Sequence, residues 1–413
     1  MKIRIESELG RLRTVLVHRP GLEIDRMSPS MMERLLFDDI LYGASARREH
    51  SLFETVLERS GARVVIAGDL LGEALAADGA VDWVLGELTR REGLRPELRE
   101  RLAGQAPAEL ARTLVEGLPN PATADGRNFF LVNPVPNYFF QRDPQVLLGR
   151  QVLTSSMATG ARAREALLGQ TIFTFHPELS AAHDGRLTLD SSAGTLPTVE
   201  GGDVLVPSPE VILIGVSERT NRWGVQALAK ALQGQETSFR HLLVVDLPQR
   251  RSYMHLDTVF TFVDRDLCLG YPPVIGAGSP ETGHVYRVDL DAPNLSFTVQ
   301  PSLTQALSAV GLDIEVVPCG GAERLNQERE QWTDGANAFA LEPGVILLYH
   351  RNQHTVDELD RRGWRVLTEE QVVSGEEPMG QGPTVITLEG DELSRARGGP
   401  RCMTAALERE ELS

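Results

Sequence analysis

Short apolar runs recur along the chain in pairs, and turn-forming residues such as glycine, proline and aspartate separate the two members of each pair. Apolar runs bounded in this way are typical of β-hairpins. Four pairs follow the pattern: residues 145–149 with 152–154, 204–206 with 211–215, 259–262 with 267–269, and 338–340 with 345–348. Each pair predicts two antiparallel strands joined by a tight turn.

A fifth pair is predicted between the two ends of the chain, where residues 402–409 are expected to pair with residues 14–19. Helical spacing of apolar residues predicts a helix over 219–232 and another near 44–60, the latter followed by a strand at 64–66. The units recur at intervals of about 55–80 residues, which predicts a ring-like array of α/β units rather than one open sheet.

One segment departs from the repeating pattern. Residues 70–117 show helical spacing and contain no strand-like run. We therefore predict two parts: a catalytic α/β core formed by residues 1–69 and 118–413, and a helical insertion at residues 70–117 that covers one side of the core.

Four chemically capable side chains occupy equivalent positions in the repeating units. Asp143, Asp203, Asp257 and Cys402 each stand just before, or at the start of, the first strand of a unit. If the units are equivalent, the same end of each of these strands lies at one end of the array. We therefore expect residues that are far apart in sequence to form a single site.

The composition is ordinary for a soluble globular enzyme, because 41% of the 413 residues are hydrophobic and 24% are charged. The formal net charge of −17 would repel phosphate backbones and anionic lipids. We therefore expect no nucleic-acid and no membrane partner, and the acidic surface suits a small cationic substrate.

The sequence also predicts a cytoplasmic location. No run approaches the ~20 apolar residues needed to cross a bilayer, and the N-terminal segment lacks the apolar centre of a signal peptide. The three cysteines, Cys268, Cys319 and Cys402, are few, odd in number and without CxxC spacing. This usage argues against a disulfide framework or a cysteine zinc site, and it fits a reducing compartment.

Cys402 is the candidate nucleophile. It follows the glycine-bearing segment that begins at Arg397, and it comes directly after Arg401. Nearby positive charge lowers the pKa of a thiol and favours the thiolate, so these neighbours predict a lowered pKa for Cys402. The alternative is an incidental buried cysteine, because free cysteine is among the most buried residue types.

Four further residues suit a substrate with a planar cationic group. A guanidinium presents five N–H donors in a planar fork that matches carboxylates. Asp143 and Asp257 are expected to hold opposite edges of such a group while the Cys402 thiolate attacks its central carbon. His255 is the expected general acid and base, and Glu200 is expected to orient it.

These residues also have plainer interpretations. His255 and Asp257 have the spacing of a metal-ligand pair, although no third ligand follows at helical spacing, and His255 alone is compatible with a hydrogen-bonded core histidine. Arg142 and Asp143 are compatible with a surface ion pair at a turn. Asp203 follows two glycines and is expected to bond backbone amides in a turn.

Several motifs, taken together and in this order, resemble the arginine deiminases of the guanidino-group-modifying enzyme superfamily almost from end to end. The motifs are Phe37-Asp-Asp-Ile-Leu41, Pro136-Asn137-Tyr-Phe-Phe140-Gln-Arg142-Asp143, Glu200-Gly-Gly-Asp203, Ser217-Glu-Arg219-Thr220, Met254-His-Leu-Asp-Thr-Val-Phe260 and Arg397-Gly-Gly-Pro-Arg-Cys402-Met403. Gln141 stands where the family commonly has threonine, and this departure removes no chemical group that the reaction needs.

The resemblance implies a five-bladed α/β propeller with a helical-bundle insertion. It also implies hydrolysis of free L-arginine to citrulline and ammonia without a cofactor or metal. The implied roles are Cys402 as nucleophile, His255 as acid and base, Glu200 as its support, and Asp143 and Asp257 as guanidinium ligands. The positions implied or expected to contact substrate are Asn137, Arg142, Arg162, Asp203, Arg219 and Arg397, the last on a mobile loop.

Two other functions are weighed beside this one. An amidinotransferase would form the same S-amidino intermediate and pass it to an amine instead of water. A non-catalytic arginine-binding protein would have no need for Cys402. L-arginine is the expected partner in every case, and the sequence allows a homo-oligomer.

Overall fold

The computed structural model describes residues 1–121, 129–190, 196–276, 278–279 and 281–412. Within these ranges the strands are β1 (Leu12–Val17), β2 (Arg63–Ile66), β3 (Leu118–Pro119), β4 (Phe130–Val132), β5 (Gln145–Leu148), β6 (Gln151–Thr154), β7 (Gly185–Leu187), β8 (Val204–Ser208), β9 (Val211–Val216), β10 (His241–Asp246), β11 (Phe260–Phe262), β12 (Leu267–Gly270), β13 (Val285–Asp289), β14 (Thr298–Gln300), β15 (Glu315–Pro318), β16 (Phe339–Glu342), β17 (Val345–Tyr349), β18 (Arg365–Thr368), β19 (Thr384–Leu388) and β20 (Ala405–Arg409). The α-helices are α1 (Leu22–Asp25), α2 (Met32–Leu35), α3 (Gly43–Arg59), α4 (Ala67–Leu75), α5 (Ala80–Glu92), α6 (Pro96–Ala103), α7 (Pro107–Glu116), α8 (Ala163–Phe175), α9 (Arg222–Gln233), α10 (Pro272–Ile275), α11 (Leu303–Ser308), α12 (Arg324–Trp332), α13 (Gln353–Asp360) and α14 (Glu369–Ser374).

In the described ranges the strands form five sheets of three to five strands, together with the two-stranded pair β3–β4. The strand orders are β2-β1-β20, β5-β6-β7, β14-β13-β10-β9-β8, β11-β12-β15 and β16-β17-β19-β18. Every predicted pair is present as an antiparallel ladder: β5–β6, β8–β9, β11–β12, β16–β17 and β1–β20. The predicted pairings are confirmed in a mixed α/β fold, whereas the ring-like arrangement of the sheets stays a prediction.

Each of these pairs also gains a parallel partner. The parallel ladders are β1–β2, β6–β7, β9–β10, β12–β15 and β17–β19. Parallel neighbours need a crossover connection, which is usually a helix. In the crossover from β9 to β10, the side chain of Asn221 accepts a hydrogen bond from the N–H of Gly224 and caps α9. The helix therefore begins at Arg222, three residues after the start of the predicted helix.

The helices α4 to α7 follow one another from Ala67 to Glu116 without a strand between them. Segment 70–117 is thus helical, as its spacing predicts. Leu71, Leu85 and Leu110 from these helices lie in the same buried cluster as Val15 of β1. That α4 to α7 form a separate insertion stays a prediction. No helix in the described part of the chain is both long enough and apolar enough to cross a bilayer.

Candidate active site

Four of the predicted residues meet near the starts of their strands. Asp143 precedes β5, His255 and Asp257 precede β11, and Cys402 precedes β20. The Sγ atom of Cys402 is 3.9 Å from Oδ2 of Asp257, and Nδ1 of His255 is 3.7 Å from Oδ1 of Asp143. All four residues are at most 5% exposed. Side chains from distant parts of the sequence therefore share one buried site.

The segment from Glu200 to Asp203 holds His255 in place. Nε2 of His255 is 2.9 Å from Oε2 of Glu200, and Oδ1 of Asp203 accepts a hydrogen bond from the N–H of Leu256 at 2.9 Å. A Cβ atom at Gly202 would lie 2.5 Å from Nδ1 of His255. Glycine at this position therefore lets the backbone approach the imidazole closely.

This environment favours the charged form of the imidazole. Burial works against that charge, but the carboxylates of Asp143, Glu200 and Asp203 outweigh it and raise the pKa of His255 to about 9. Burial would raise the pKa of Glu200. The hydrogen bond and charge of His255, with Nη1 of Arg219 at 3.7 Å, instead lower the pKa of Glu200 to about 2. At neutral pH the pair is therefore an imidazolium and a carboxylate.

Asp143 and Asp257 each keep one oxygen without a hydrogen-bond partner. Oδ2 of Asp143 accepts a hydrogen bond from Nη1 of Arg162 at 2.7 Å, and Oδ2 of Asp257 accepts one from Nη1 of Arg401 at 2.6 Å. The two Oδ1 atoms are buried, and no described residue hydrogen-bonds either of them. Leaving a buried acceptor unsatisfied is costly, so both oxygens are suited to receive donors from a bound molecule.

The thiol of Cys402 differs from the prediction made from its sequence neighbours. The guanidinium of Arg401 binds the carboxylates of Glu8 and Asp257. Burial, followed by the charges of Asp257 and Asp143, raises the pKa of Cys402 well above its ordinary value. The predicted lowering of the pKa is therefore wrong for the free protein, because adjacency in sequence does not place the Arg401 charge where it outweighs the buried carboxylates.

The thiol and the imidazole line a small cavity. Its walls are formed by Leu36, Asn137, Phe140, Asp143, Arg162, Arg219, Arg251, Met254, His255, Thr258, Ala396, Arg397 and Cys402. The cavity volume is ≈ 20 Å³, which holds about one water molecule. The space beside the thiol and the imidazole is therefore narrow in this structure.

Arg397 is a lining residue with an uncommon backbone conformation. It adopts φ 64°, a backbone conformation that residues other than glycine rarely take. Its guanidinium carbon lies 3.4 Å from the centroid of the Trp332 ring, within the range of a cation–π contact. Nε and Nη1 of Arg397 are buried and have no hydrogen-bond partner among the described residues.

The other predicted substrate contacts are distributed unevenly. Asn137, Arg162 and Arg219 line the cavity, and Nε and Nη1 of Arg219 are buried without a hydrogen bond in the described structure. Arg142 is not a lining residue; its Nη1 atom lies 3.8 Å from Oε1 of Glu8. Substrate binding by each of these residues stays a prediction.

Asp203 does not line the cavity either. In addition to the bond from Leu256, its Oδ2 atom accepts a hydrogen bond from Oγ of Ser217 at 2.6 Å. Burial raises the pKa of Asp203 to about 7. These contacts favour its interpretation as a turn residue, and its predicted substrate contact stays untested.

Beside the lining residues already named, three residues that were not predicted from the sequence form polar contacts with predicted ones. Arg401 pairs with Asp257, Oδ1 of Asn337 accepts a hydrogen bond from the N–H of Cys402 at 3.2 Å, and Glu165 pairs with the cavity residue Arg162. Arg401 could have been predicted from the sequence, because it directly precedes the candidate nucleophile. Asn337 and Glu165 stand outside the motifs, and no local pattern distinguishes them.

Comparison with known proteins identifies the family. A family model described as arginine deiminase matches residues 33–409. The chain belongs to the arginine deiminase family. It is 36% identical to an arginine deiminase of Mycobacterium avium, covering 100% of this chain and 99% of that protein. It is 33% identical to an arginine deiminase of Latilactobacillus sakei, covering 99% of this chain and 98% of that protein.

A solved structure extends the likeness of fold beyond the family. SxtG, an amidinotransferase from Microseira wollei, superposes with a TM-score of 0.54 at 15% identity, over 99% of this chain and 98% of that chain. At this identity the likeness concerns the fold alone. In the described part of the chain, no group of three histidine, cysteine, aspartate or glutamate side chains has the arrangement of a metal site.

Proposed function

We propose that the protein hydrolyses free L-arginine to L-citrulline and ammonia, with Cys402 as the nucleophile. The observation that carries the proposal is the pair of buried, unpartnered Oδ1 atoms of Asp143 and Asp257 in the same site as a buried thiol. Carboxylates at two edges match the planar donor pattern of a guanidinium. Membership of the arginine deiminase family supports free arginine as the molecule that carries this group.

Substrate binding prepares the nucleophile. The carboxylates of Asp143 and Asp257 contribute to the raised pKa of Cys402 in the free protein. A guanidinium between these carboxylates adds positive charge beside the sulfur and lowers the thiol pKa. The thiol then loses its proton to solvent, while protonated His255 supplies a second positive charge near the thiolate.

The first half of the reaction forms a covalent intermediate. The Cys402 thiolate attacks the guanidinium carbon, which forms the C–S bond and a tetrahedral adduct. His255 gives its proton to one terminal nitrogen of the adduct. The C–N bond then breaks, ammonia leaves, and an S-amidino group remains on Cys402.

The second half of the reaction regenerates the enzyme. Neutral His255 takes a proton from a water molecule as the water oxygen attacks the amidino carbon. The C–S bond then breaks and its electron pair returns to the sulfur of Cys402. The remaining hydroxyl proton is released as the carbonyl of citrulline forms. One arginine and one water are consumed, one citrulline and one ammonium are produced, and no cofactor takes part.

The cationic wall of the cavity is assigned to the amino-acid end of the substrate. Arg219 and Arg397 have buried guanidinium nitrogens without hydrogen-bond partners in the described structure, which suits them to pair with an α-carboxylate. Asn137 lines the same cavity. Arg162 is assigned to hold Asp143 in position, and Arg142 to act through the cluster around Glu8.

The proposal includes the larger architecture. We assign the five sheets as the blades of a propeller, with residues 70–117 as a helical insertion and the cytoplasm as the working compartment. Support for the propeller comes from the strands of different sheets, whose starts bring residues to one cavity. Support for the compartment comes from the cysteines, which are all free.

The decisive experiment follows citrulline and ammonia from L-arginine in the presence of EDTA. Wild type and the control Cys268→Ala are expected to release the two products in equal amounts, because Cys268 lies outside the site. Cys402→Ala is expected to bind arginine without turnover. Turnover by Cys402→Ala near the wild-type rate would exclude the mechanism. A new guanidino product formed when glycine is added, with ornithine released from the arginine, would identify an amidinotransferase instead.

A further inference from the structure

A second cleft lies where α4 and α7 face the segment that follows β1. Its volume is ≈ 830 Å³, which is within the usual size of small-molecule sites, about 300–1,000 Å³. None of its lining residues lines the active-site cavity. The cleft is therefore a separate place where a small molecule fits.

One wall of this cleft is apolar, and its floor is charged. The apolar wall consists of Ile66, Ala76, Pro107, Ala108, Ala111 and Val115. The titratable residues of the lining are His18, Arg19, Glu23, Asp69, Glu73, Arg112 and Glu116; His18, Glu23 and Glu116 are called the polar floor below. A site of this composition accepts an amphipathic ligand, with an aliphatic body against the wall and a polar head at the floor.

The floor holds buried polar atoms that have no protein partner. Glu23 is 0% exposed. Its Oε1 atom accepts a hydrogen bond from the N–H of Gly21 at 2.6 Å, whereas Oε2 has no hydrogen bond from any described residue. The two ring nitrogens of His18, a residue that is 7% exposed, likewise make no hydrogen bond in the described structure. Such atoms are costly unless a bound molecule or water satisfies them.

The acceptors converge on one corner of the cleft. A Cβ atom at Gly21 would lie 2.6 Å from Oε2 of Glu23 and 3.5 Å from Oε1 of Glu116, so the glycine keeps the space between the two carboxylates open. Nε2 of His18 lies 3.6 Å from Oε1 of Glu23. Two carboxylates and an imidazole therefore surround the same small volume.

We propose that this cleft is a second binding site, which takes a primary ammonium compound with a short aliphatic body. An ammonium group offers three N–H donors and no acceptor, and the corner offers three acceptors, one each from Glu23, Glu116 and His18. Its positive charge offsets the buried carboxylate of Glu23, while the half-buried Glu116 already pairs with Arg26 at 3.8 Å. The aliphatic body lies along the wall that contains Ala108 and Val115.

The proposal is tested by ligand-observed NMR titration of the full-length protein with n-butylammonium, with n-butanol as the uncharged match. Butylammonium is expected to bind, and butanol to bind at least about tenfold more weakly, because a hydrogen bond to a charged group contributes about 1.5–3 kcal/mol. Equal binding of the two compounds, or no saturable binding of butylammonium, would overturn the proposal.

Substitutions in the cleft test whether butylammonium binds there. Glu23→Gln keeps the bond from Gly21 but removes the charge, and Ala108→Phe fills the cleft from an exposed position; each is expected to weaken butylammonium binding at least about tenfold. The controls Glu33→Gln, at an exposed site, and Asp143→Asn, in the active site, are expected to leave it within about twofold. Binding lost in Asp143→Asn but kept in both cleft variants would assign it to the active site and overturn the proposal.

Discussion

Charged side chains at the active site are buried in mutually dependent sets. Asp143 is held by Arg162, Asp257 by Arg401, and His255 by Glu200. A buried charge that loses its partner is strongly destabilised, so each member sets the protonation state of the others. Single substitutions here are therefore expected to change the protonation of the remaining partners and to lower the stability of the fold.

Asp143→Asn is expected to remove one carboxylate from the guanidinium site. Removing one preorganised electrostatic contact to the reacting group costs about 2.7–4 kcal/mol of transition-state stabilisation, which corresponds to a fall in kcat/KM of about 100-fold or more. Steady-state kinetics with L-arginine measure this change. The control Asp78→Asn, at an exposed position, is expected to remain within about twofold of wild type. A fall of less than about tenfold for Asp143→Asn would remove this residue from the guanidinium site.

Glu200→Gln is expected to lower the pKa of His255 from about 9, because the variant loses a negative charge that stabilises the imidazolium. His255 is charged below its pKa and neutral above it, so the variant loses the proton at lower pH than wild type. Titration of the imidazole nitrogens by ¹H–¹⁵N NMR measures the shift. Glu210→Gln, an exposed control, is expected to leave the titration unchanged, and the same result for Glu200→Gln would contradict the assigned pairing.

At the scale of elements, the turn before β8 determines where the imidazole sits. The backbone at Gly202 passes so close to His255 that no side chain fits between them. The 3-10 turn Leu256–Thr258 is tied to the same segment through Asp203. The start of β8 and the start of β11 therefore hold His255 together.

Gly202→Ala is expected to displace His255 and lower kcat by at least about tenfold, because a Cβ there would overlap the ring and misplaced catalytic groups lose rate steeply. The matched control is Gly86→Ala in α5, where an added Cβ meets nothing within 4 Å. That control is expected to retain kcat and to gain about 0.4–1 kcal/mol of stability. Kinetics with circular dichroism separate loss of catalysis from loss of fold, and a normal kcat in Gly202→Ala would refute the role of this contact.

The elements that could be predicted from sequence are those whose signal is local. The hairpins β5–β6 and β16–β17 follow from apolar runs around Gly149 and Gly344, both of which have positive φ. The parallel partners β7 and β15 had no such signal, because their pairing depends on contacts with distant strands. The same holds for the site residues. His255 and Asp257 could be predicted because they lie in a local motif, whereas Asn337 could not, because only folding brings it to Cys402.

At the scale of the whole molecule, the two ends of the chain complete one sheet. β1 pairs with β20 in an antiparallel ladder, and β20 follows Cys402 by three residues. The position of the candidate nucleophile therefore depends on a strand that is almost 400 residues away in sequence. A substitution that destabilises β1 is therefore expected to lower activity by lowering the stability of the fold.

Leu16→Ala in β1 tests this dependence. Leu16 is 0% exposed, and truncation of a buried leucine costs about 2–5 kcal/mol. We expect a lower urea midpoint, with activity lost over the same range of urea as the fold. Leu325→Ala, whose leucine is 74% exposed, is the control and is expected to change stability by less than about 0.5 kcal/mol. An unchanged midpoint for Leu16→Ala would show that the terminal strands are not needed for stability.

Because both chain ends belong to the first sheet, the protein is suited to circular permutation. The backbone of Arg4 forms an isolated β-bridge with Glu408, and its side chain forms an ion pair with Glu411. The two ends of the described chain therefore lie side by side. A short peptide linker would join them, and new ends could be opened at Gly93, between α5 and α6. In such a circular permutant the same strands would be synthesised in a different order. Its activity would show whether the active site can assemble independently of the order in which the strands are made.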